Sequence, residues 1–257
     1  MNTQPLLGRT ALVTGGSGDI GSGIATLLAS AGADVAITYM GHTAGADATL
    51  EAVAGHGRKG IAIQLDQRDP ASIDACVQKM ADGMGALDIL VNNAAWNIGI
   101  AFPDLEALNG EIWDQVSETN LRGPYLLARA FATMLKSNEA GRIGHIVNIA
   151  SAAGIAPGGS SIAYAASKAG LIHLTHCLAV AMAPDVAVNC VAPGLVEDTR
   201  MAQRVPDDMA QLIRQEAVLG RVGQIEDVAA QVLTFVASTS ISGQVMTVDG
   251  GMPVDMR

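Results

Sequence analysis

Aromatic side chains are scarce in this chain, at three Phe, three Tyr and two Trp among 257 residues. A core cannot be built on rings at that density, so it must come from Ala, Val, Ile and Leu within an apolar content of 49%. Basic residues are outnumbered as well. With 15 Lys and Arg against 25 Asp and Glu, the net charge of −10 lacks the footprint that a nucleic acid or an anionic membrane surface requires. Close-set cysteines are missing too: Cys76, Cys177 and Cys190 share no short spacing. That leaves neither a CxxC redox pair nor a zinc cluster, and reads as free thiols in a reducing cytosol. No run approaches the roughly 18 apolar residues of a membrane span. Residues 1–8 run into the first strand pattern without a basic-then-apolar leader, so the expectation is a soluble, cytoplasmic protein. No Pro/Ser-rich linker, charge run or repeat divides residues 1–257, which reads as one domain.

What is present is glycine, 29 of them, and an alternation of short apolar runs with longer helical patterns. Strands are expected at 10–13, 34–38, 60–64, 88–91, 145–149, 187–191 and 244–248. Helices are expected at 20–31, 44–55, 71–83, 111–137, 160–183 and within 207–237. Continuous apolar strands separated by helices are strands buried on both faces, hence a parallel sheet with right-handed crossovers. The fold class is α/β, a single doubly wound (Rossmann) sheet of about seven strands with helices on both faces, which binds ligands beyond the carboxyl ends of its strands.

Two stretches carry chemistry. Tyr164 and Lys168, four residues apart, share one helix face. A cation held near a phenol favours the phenolate and draws its pKa toward neutrality, where an acid/base works best. The first strand-to-helix turn, Thr14-Gly15-Gly16-Ser17-Gly18-Asp19-Ile20-Gly21, satisfies G-x-G-x-x-G through Gly16, Gly18 and Gly21. Glycines at that place allow a tight turn and let backbone N–H groups reach a pyrophosphate at the helix start.

With these residues in view, the chain resembles the short-chain dehydrogenase/reductase family over residues 10–251. The family's Y-x-x-x-K stands as Tyr164 to Lys168, its N-N-A-G as Asn92-Asn93-Ala94-Ala95, its active-site serine as Ser151, its helix asparagine as Asn120 and its Pro-Gly as Pro193-Gly194. The resemblance implies that Tyr164 is the acid/base and that Lys168 lowers its pKa and holds the nicotinamide ribose. Ser151 then bonds the substrate oxygen, and Asn120 holds a water in a relay to Lys168. Cofactor contacts are implied at Gly15, Ser17, Gly18, Asp19, Ile20 and Gly21, at Thr38 and Tyr39, at Asp66 beside the adenine, and at Asn92 and Ala94. Further contacts are implied at Pro193, Gly194, Val196 and Thr199, besides Tyr164 and Lys168 themselves. Two departures stand out. Asp19 occupies a family glycine position, where its carboxylate is repelled by a pyrophosphate unless it turns aside to cap the helix. Ala95 replaces the last glycine of N-N-A-G and narrows the pocket.

Cofactor choice turns on the end of the second strand. Residues 38–42 hold no acid to exclude a 2′-phosphate, while Thr38, Tyr39 and His42 could bond one, so NADP(H) is read ahead of NAD(H). The Gly-rich loop, however, lacks the arginine that many NADP-using relatives carry. His173 and His176 read as a packed or interface helix, and no metal is expected. In the family that helix and the one before it pack between subunits, so Ala163, Ala166, Ala169 and Ala179 suit a homodimer or homotetramer. Residues 195–220 read as a lid over the substrate. The activity implied is hydride transfer between NAD(P)(H) and a small free ketone or secondary alcohol, resembling 3-oxoacyl-acyl-carrier-protein reductases and polyol or sugar dehydrogenases. The neutral insertion at 138–141 offers an acidic carrier protein little basic surface. The alternative is a non-catalytic dinucleotide sensor or scaffold, suggested by Asp19.

Overall fold

The computed structural model describes residues 4–137 and 142–255; the 138–141 insertion lies outside them. Its strands are β1 (Thr10–Val13), β2 (Asp34–Tyr39), β3 (Gly60–Gln64), β4 (Ile89–Asn92), β5 (Gly144–Ile149), β6 (Val186–Pro193) and β7 (Val245–Val248). They form one sheet in the order β3-β2-β1-β4-β5-β6-β7, every neighbouring pair parallel. Parallel neighbours need crossovers, and these are α1 (Asp19–Ser30), α2 (Thr43–Gly55), α3 (Pro70–Met84), α4 (Gly110–Ser117), α5 (Gly123–Ala130), α6 (Ala132–Lys136), α7 (Ile162–Ala181), α8 (Asp207–Glu216) and α9 (Ile225–Ala237).

Period-two alternation splits the core. Ala11, Val13, Val35, Ile37, Ile89 and Val91 pack with Ile24 and Leu28 of α1 and Val228 and Val232 of α9. Their neighbours Leu12, Ala36 and Leu90 face the other way, onto Cys76 and Met80 of α3, Leu127 of α5 and the fully buried Phe131. Each Val, Leu or Ile side chain so removed from water contributes about 1.5–3 kcal/mol.

The two long helical stretches are interrupted. The 111–137 pattern breaks into α4, a π-turn over Glu118–Arg122, α5 and α6. Pro124 enters at the first turn of α5, where its missing N–H costs no helix bond. The 207–237 pattern divides into α8 and α9 around Gly220, which has φ +64°. β4 begins at Ile89 rather than at 88, and the Asp88 carboxylate accepts from the Thr10 backbone N–H at 2.8 Å. Among the described residues no helix is long and apolar enough to cross a membrane.

Candidate active site

The order of the sheet reverses between β1 and β4, and the loops leaving their carboxyl ends make a crevice. Thr14 holds that edge together. Fully buried, its hydroxyl accepts from the N–H groups of Asn93 (2.9 Å) and Ala94 (3.0 Å) and donates to the Val91 carbonyl (3.3 Å). Asn93 Nδ2 returns to the Thr14 carbonyl at 2.9 Å and the Gly15 carbonyl at 3.3 Å. Gly15 has φ +64°, and a Cβ on Gly21 would run into the Gly15 carbonyl oxygen and come within 2.7 Å of Asn93 Nδ2. The turn is therefore a backbone cradle at the α1 N-terminus that larger side chains would fill, and it fits a pyrophosphate. Ile20 lies beside the cradle with its side chain packed on the core.

Several of the implied cofactor residues bond within the protein. The Thr38 hydroxyl accepts from Gly15 N–H at 3.2 Å with the residue 2% exposed, so it braces the loop. Tyr39 packs against the core, and His42 Nδ1 lies 2.8 Å from the Ser17 carbonyl oxygen. Asn92 donates to Asn148 Oδ1 at 2.8 Å, and Asn148 donates in turn to Thr175 at 2.9 Å, a buried chain across the sheet. Bracing of the first loop belongs to Asn93. Asp66 is clasped by Arg68 at 2.7 Å, which holds its carboxyl below the usual range. Gln67, not singled out in the sequence, donates to the carbonyls of Ala94 (3.1 Å) and Thr119 (2.7 Å).

The reactive group is built on β5 and α7. Ser161 caps α7, its hydroxyl accepting from Tyr164 N–H at 3.2 Å, which places Tyr164 in the first turn. Lys168 follows one turn later with Nζ donating to the Ile149 carbonyl at 2.8 Å and lying 5.6 Å from the Tyr164 ring centroid. Ser151 lies just past β5, its hydroxyl accepting from Ala153 N–H at 3.2 Å. Burial raises the Tyr164 pKa, and Ser151 only partly offsets this. Desolvation is the largest influence on the phenol, and the Lys168 ammonium donates to the Ile149 carbonyl. Burial also brings the Lys168 ammonium down to about 8, with Cys190 acting the other way.

Asn120 sits in the π-turn and is fully buried. Its Oδ1 accepts from Trp96 N–H (2.8 Å), while its Nδ2 donates to the Trp96 carbonyl (2.9 Å) and the Ser167 hydroxyl (3.2 Å). Its side chain therefore ties the post-β4 segment to α7, and any water on this residue would have to use its backbone, which a π-turn loosens.

The segment after β6 forms the other wall. Pro193 ends β6, Gly194 N–H donates to Val248 O at 3.0 Å, and Val196 bridges to Gly223. The extra residue between Pro-Gly and Thr199 is absorbed by Asp198 at φ +59°, a left-handed position that Asp tolerates. Thr199 is 4% exposed, donating to the Val196 carbonyl (2.8 Å) and accepting from Ala202 N–H (3.1 Å). It anchors this segment rather than presenting a free hydroxyl. Asp19 turns its carboxylate to Arg200, accepting from its N–H at 2.8 Å instead of capping α1. Arg214 bonds Glu197 at 2.9 Å in the lining of a cavity of about 570 Å³ between the segment after β6 and α8.

A family model described as enoyl-(acyl carrier protein) reductase matches residues 16–253. The chain is 35% identical over 250 residues to a 3-oxoacyl-acyl-carrier-protein reductase of Staphylococcus aureus, covering 95% of this chain and 98% of that one. It is 36% identical over 250 residues to the corresponding Escherichia coli K12 protein, at 95% and 97% coverage. A short chain dehydrogenase from Burkholderia cenocepacia, solved with NADP, superposes with a TM-score of 0.88 at 36% identity, covering 97% of this chain and 99% of that one. Sheet order, glycine cradle and Tyr-Lys helix agree with these matches: the chain belongs to the short-chain dehydrogenase/reductase family of NAD(P)-dependent oxidoreductases.

Proposed function

We propose that this protein reduces the carbonyl of a small free ketone to a secondary alcohol, with Tyr164 as proton donor. The observation that carries the reading is the joint burial of Tyr164 and Lys168 on one face of α7, with the Lys168 ammonium 5.6 Å from the centre of the phenol ring. Burial keeps the phenol protonated at neutral pH, which suits a general acid and hence the reductive direction. The nicotinamide, when bound, supplies the hydride. Tyr164 gives its proton to the carbonyl oxygen, Ser151 donates a hydrogen bond to that oxygen as charge gathers on it, and the Lys168 ammonium stabilises the phenolate left behind. Asn120 keeps the Trp96 segment registered against α7.

The glycine cradle, with Thr14 and Asn93 behind it, would hold the dinucleotide. NADP(H) is preferred to NAD(H), because residues 38–42 carry no carboxylate and relatives such as the Pseudomonas aeruginosa RhlG complex, at 32% identity, were solved with NADP. The 3-oxoacyl relatives support a carbonyl substrate, and the acidic charge of this chain favours a free one over an acidic carrier. The segment 195–220 is the lid. A cytoplasmic homodimer or homotetramer would form along the apolar groove that Leu121, Tyr125, Leu174 and Cys177 line between the π-turn, α5 and α7. Ala166 and Ala169 are exposed on α7, whereas Ala163 is buried and takes no part. The sensor alternative loses its motive, since the Asp19 carboxylate is engaged by Arg200. Stopped-flow oxidation of NADPH and NADH against free ketones, sugars and 3-oxoacyl thioesters tests the proposal. Turnover of free ketones with NADPH supports it, and cofactor binding without turnover of any carbonyl contradicts it.

A further inference from the structure

The first loop, residues 14–21, contains an acid and no cation of its own, an unfavourable charge for a site meant to hold a diphosphate. The structure brings a cation there from 181 residues away. Arg200 N–H donates to Asp19 Oδ2 at 2.8 Å, and Arg200 Nε lies 3.4 Å from the same oxygen. Its guanidinium reaches over Gly18, the residue that caps α1, where a Cβ would stand 3.1 Å from Arg200 Nη2. The base of the side chain is fixed because the preceding Thr199 is buried and bonded on both sides. The head is 57% exposed and holds Asp19 only through the long Nε contact. Arg68 is paired with Asp66, and the His42 ring meets the loop at the Ser17 carbonyl.

We propose that Arg200 is the cofactor's phosphate-binding cation, delivered by the lid to the diphosphate at the α1 N-terminus, with Asp19 as its positioning residue. This rests on the dinucleotide reading above and deepens it. One guanidinium bridges the Asp19 carboxylate and the diphosphate, so the acid in the glycine loop holds the cation in place while the cation offsets its charge. Because Asp19 also grips the Arg200 backbone, cofactor binding and lid position become coupled. The group recognised is the diphosphate, common to NADH and NADPH, and not the 2′-phosphate.

The test is equilibrium titration with NADH and with NADPH, followed by nicotinamide fluorescence, on wild type, Arg200→Met, Arg200→Lys, Asp19→Ala and the Asp19→Ala/Arg200→Met double variant. Arg200→Met is expected to weaken both cofactors about tenfold, less so at high salt, and Arg200→Lys to recover part of that. If Asp19 acts through Arg200, the double variant binds no more weakly than Arg200→Met alone. Thermal melting of each variant checks that the fold is intact. Affinity for both cofactors within twofold of wild type in Arg200→Met, or a loss confined to NADPH, overturns the proposal while leaving the dinucleotide reading standing. A wild-type protein that binds neither cofactor overturns both.

Discussion

The two walls of the crevice are made in opposite ways. The cradle between β1 and α1 is closed on itself: Thr14, Asn93 and Thr38 bond its backbone, and the strands beneath are fully buried. The 195–220 segment is anchored by Thr199 but leaves Met201, Met209, Leu212, Val218 and Leu219 exposed. A region with many buried bonds opens rarely, and one with few opens easily. On the proposed function, the first wall would fix the cofactor and the second would adapt to the substrate.

The largest effect that would sharpen this contrast lies between the walls, at Lys168. Its amine is charged below about 8, so kcat/KM for reduction is expected to fall as pH rises through about 8. Lys168→Met should remove that limb and lower kcat/KM by roughly 10²-fold or more, read from pH–rate profiles.

A control comes from the opposite end of the sheet. Burial, with nearby Arg9 adding to it, lowers the His145 pKa from 6.5 to about 4, and neither ring nitrogen has a partner among the described residues. The unfolded chain therefore takes up the proton first. Stability should be intact above pH 6.5 and decline toward pH 4, by an amount on the order of 3 kcal/mol at most. His145→Leu should flatten that slope in urea melts between pH 4 and 7 without changing the pH–rate limb near 8.

The cradle itself is tested by Gly21→Val, which forces a branched side chain against the Gly15 carbonyl and Asn93. It should cost about 1–3 kcal/mol of stability and weaken dinucleotide binding, measured by thermal melting and fluorescence titration. The smallest stability change is expected in the lid. Leu219→Ser, on an exposed side chain, should shift stability by less than about 0.5 kcal/mol while raising the KM for an apolar ketone. A lid substitution that moved stability as much as Gly21→Val would break the contrast.

The sheet was legible because it depends on continuous runs of Val, Ile, Leu and Ala, and β1 and β3 coincide with the expected 10–13 and 60–64. The Tyr164–Lys168 face was legible because helical spacing is local. Illegible were the partners that polar side chains choose across the fold. Thr38 and Asn92 look available for a ligand in sequence, yet parallel pairing turns one to Gly15 and the other to Asn148. The breaks in the 111–137 stretch were masked by helix-type spacing that continues through the π-turn, although Pro124 marked one of them. Asp19 read as a defect because its partner, Arg200, lies 181 residues further on.

A buried phenol, that of Tyr164, is the proposed source of the proton. Its most direct test is Tyr164→Phe, compared with wild type in NADPH affinity and in single-turnover reduction of a ketone that the wild type accepts. Cofactor affinity is expected within about twofold of wild type and the reduction rate lower by roughly 10²–10⁴-fold. A variant that reduced the ketone at near the wild-type rate would contradict that proposal.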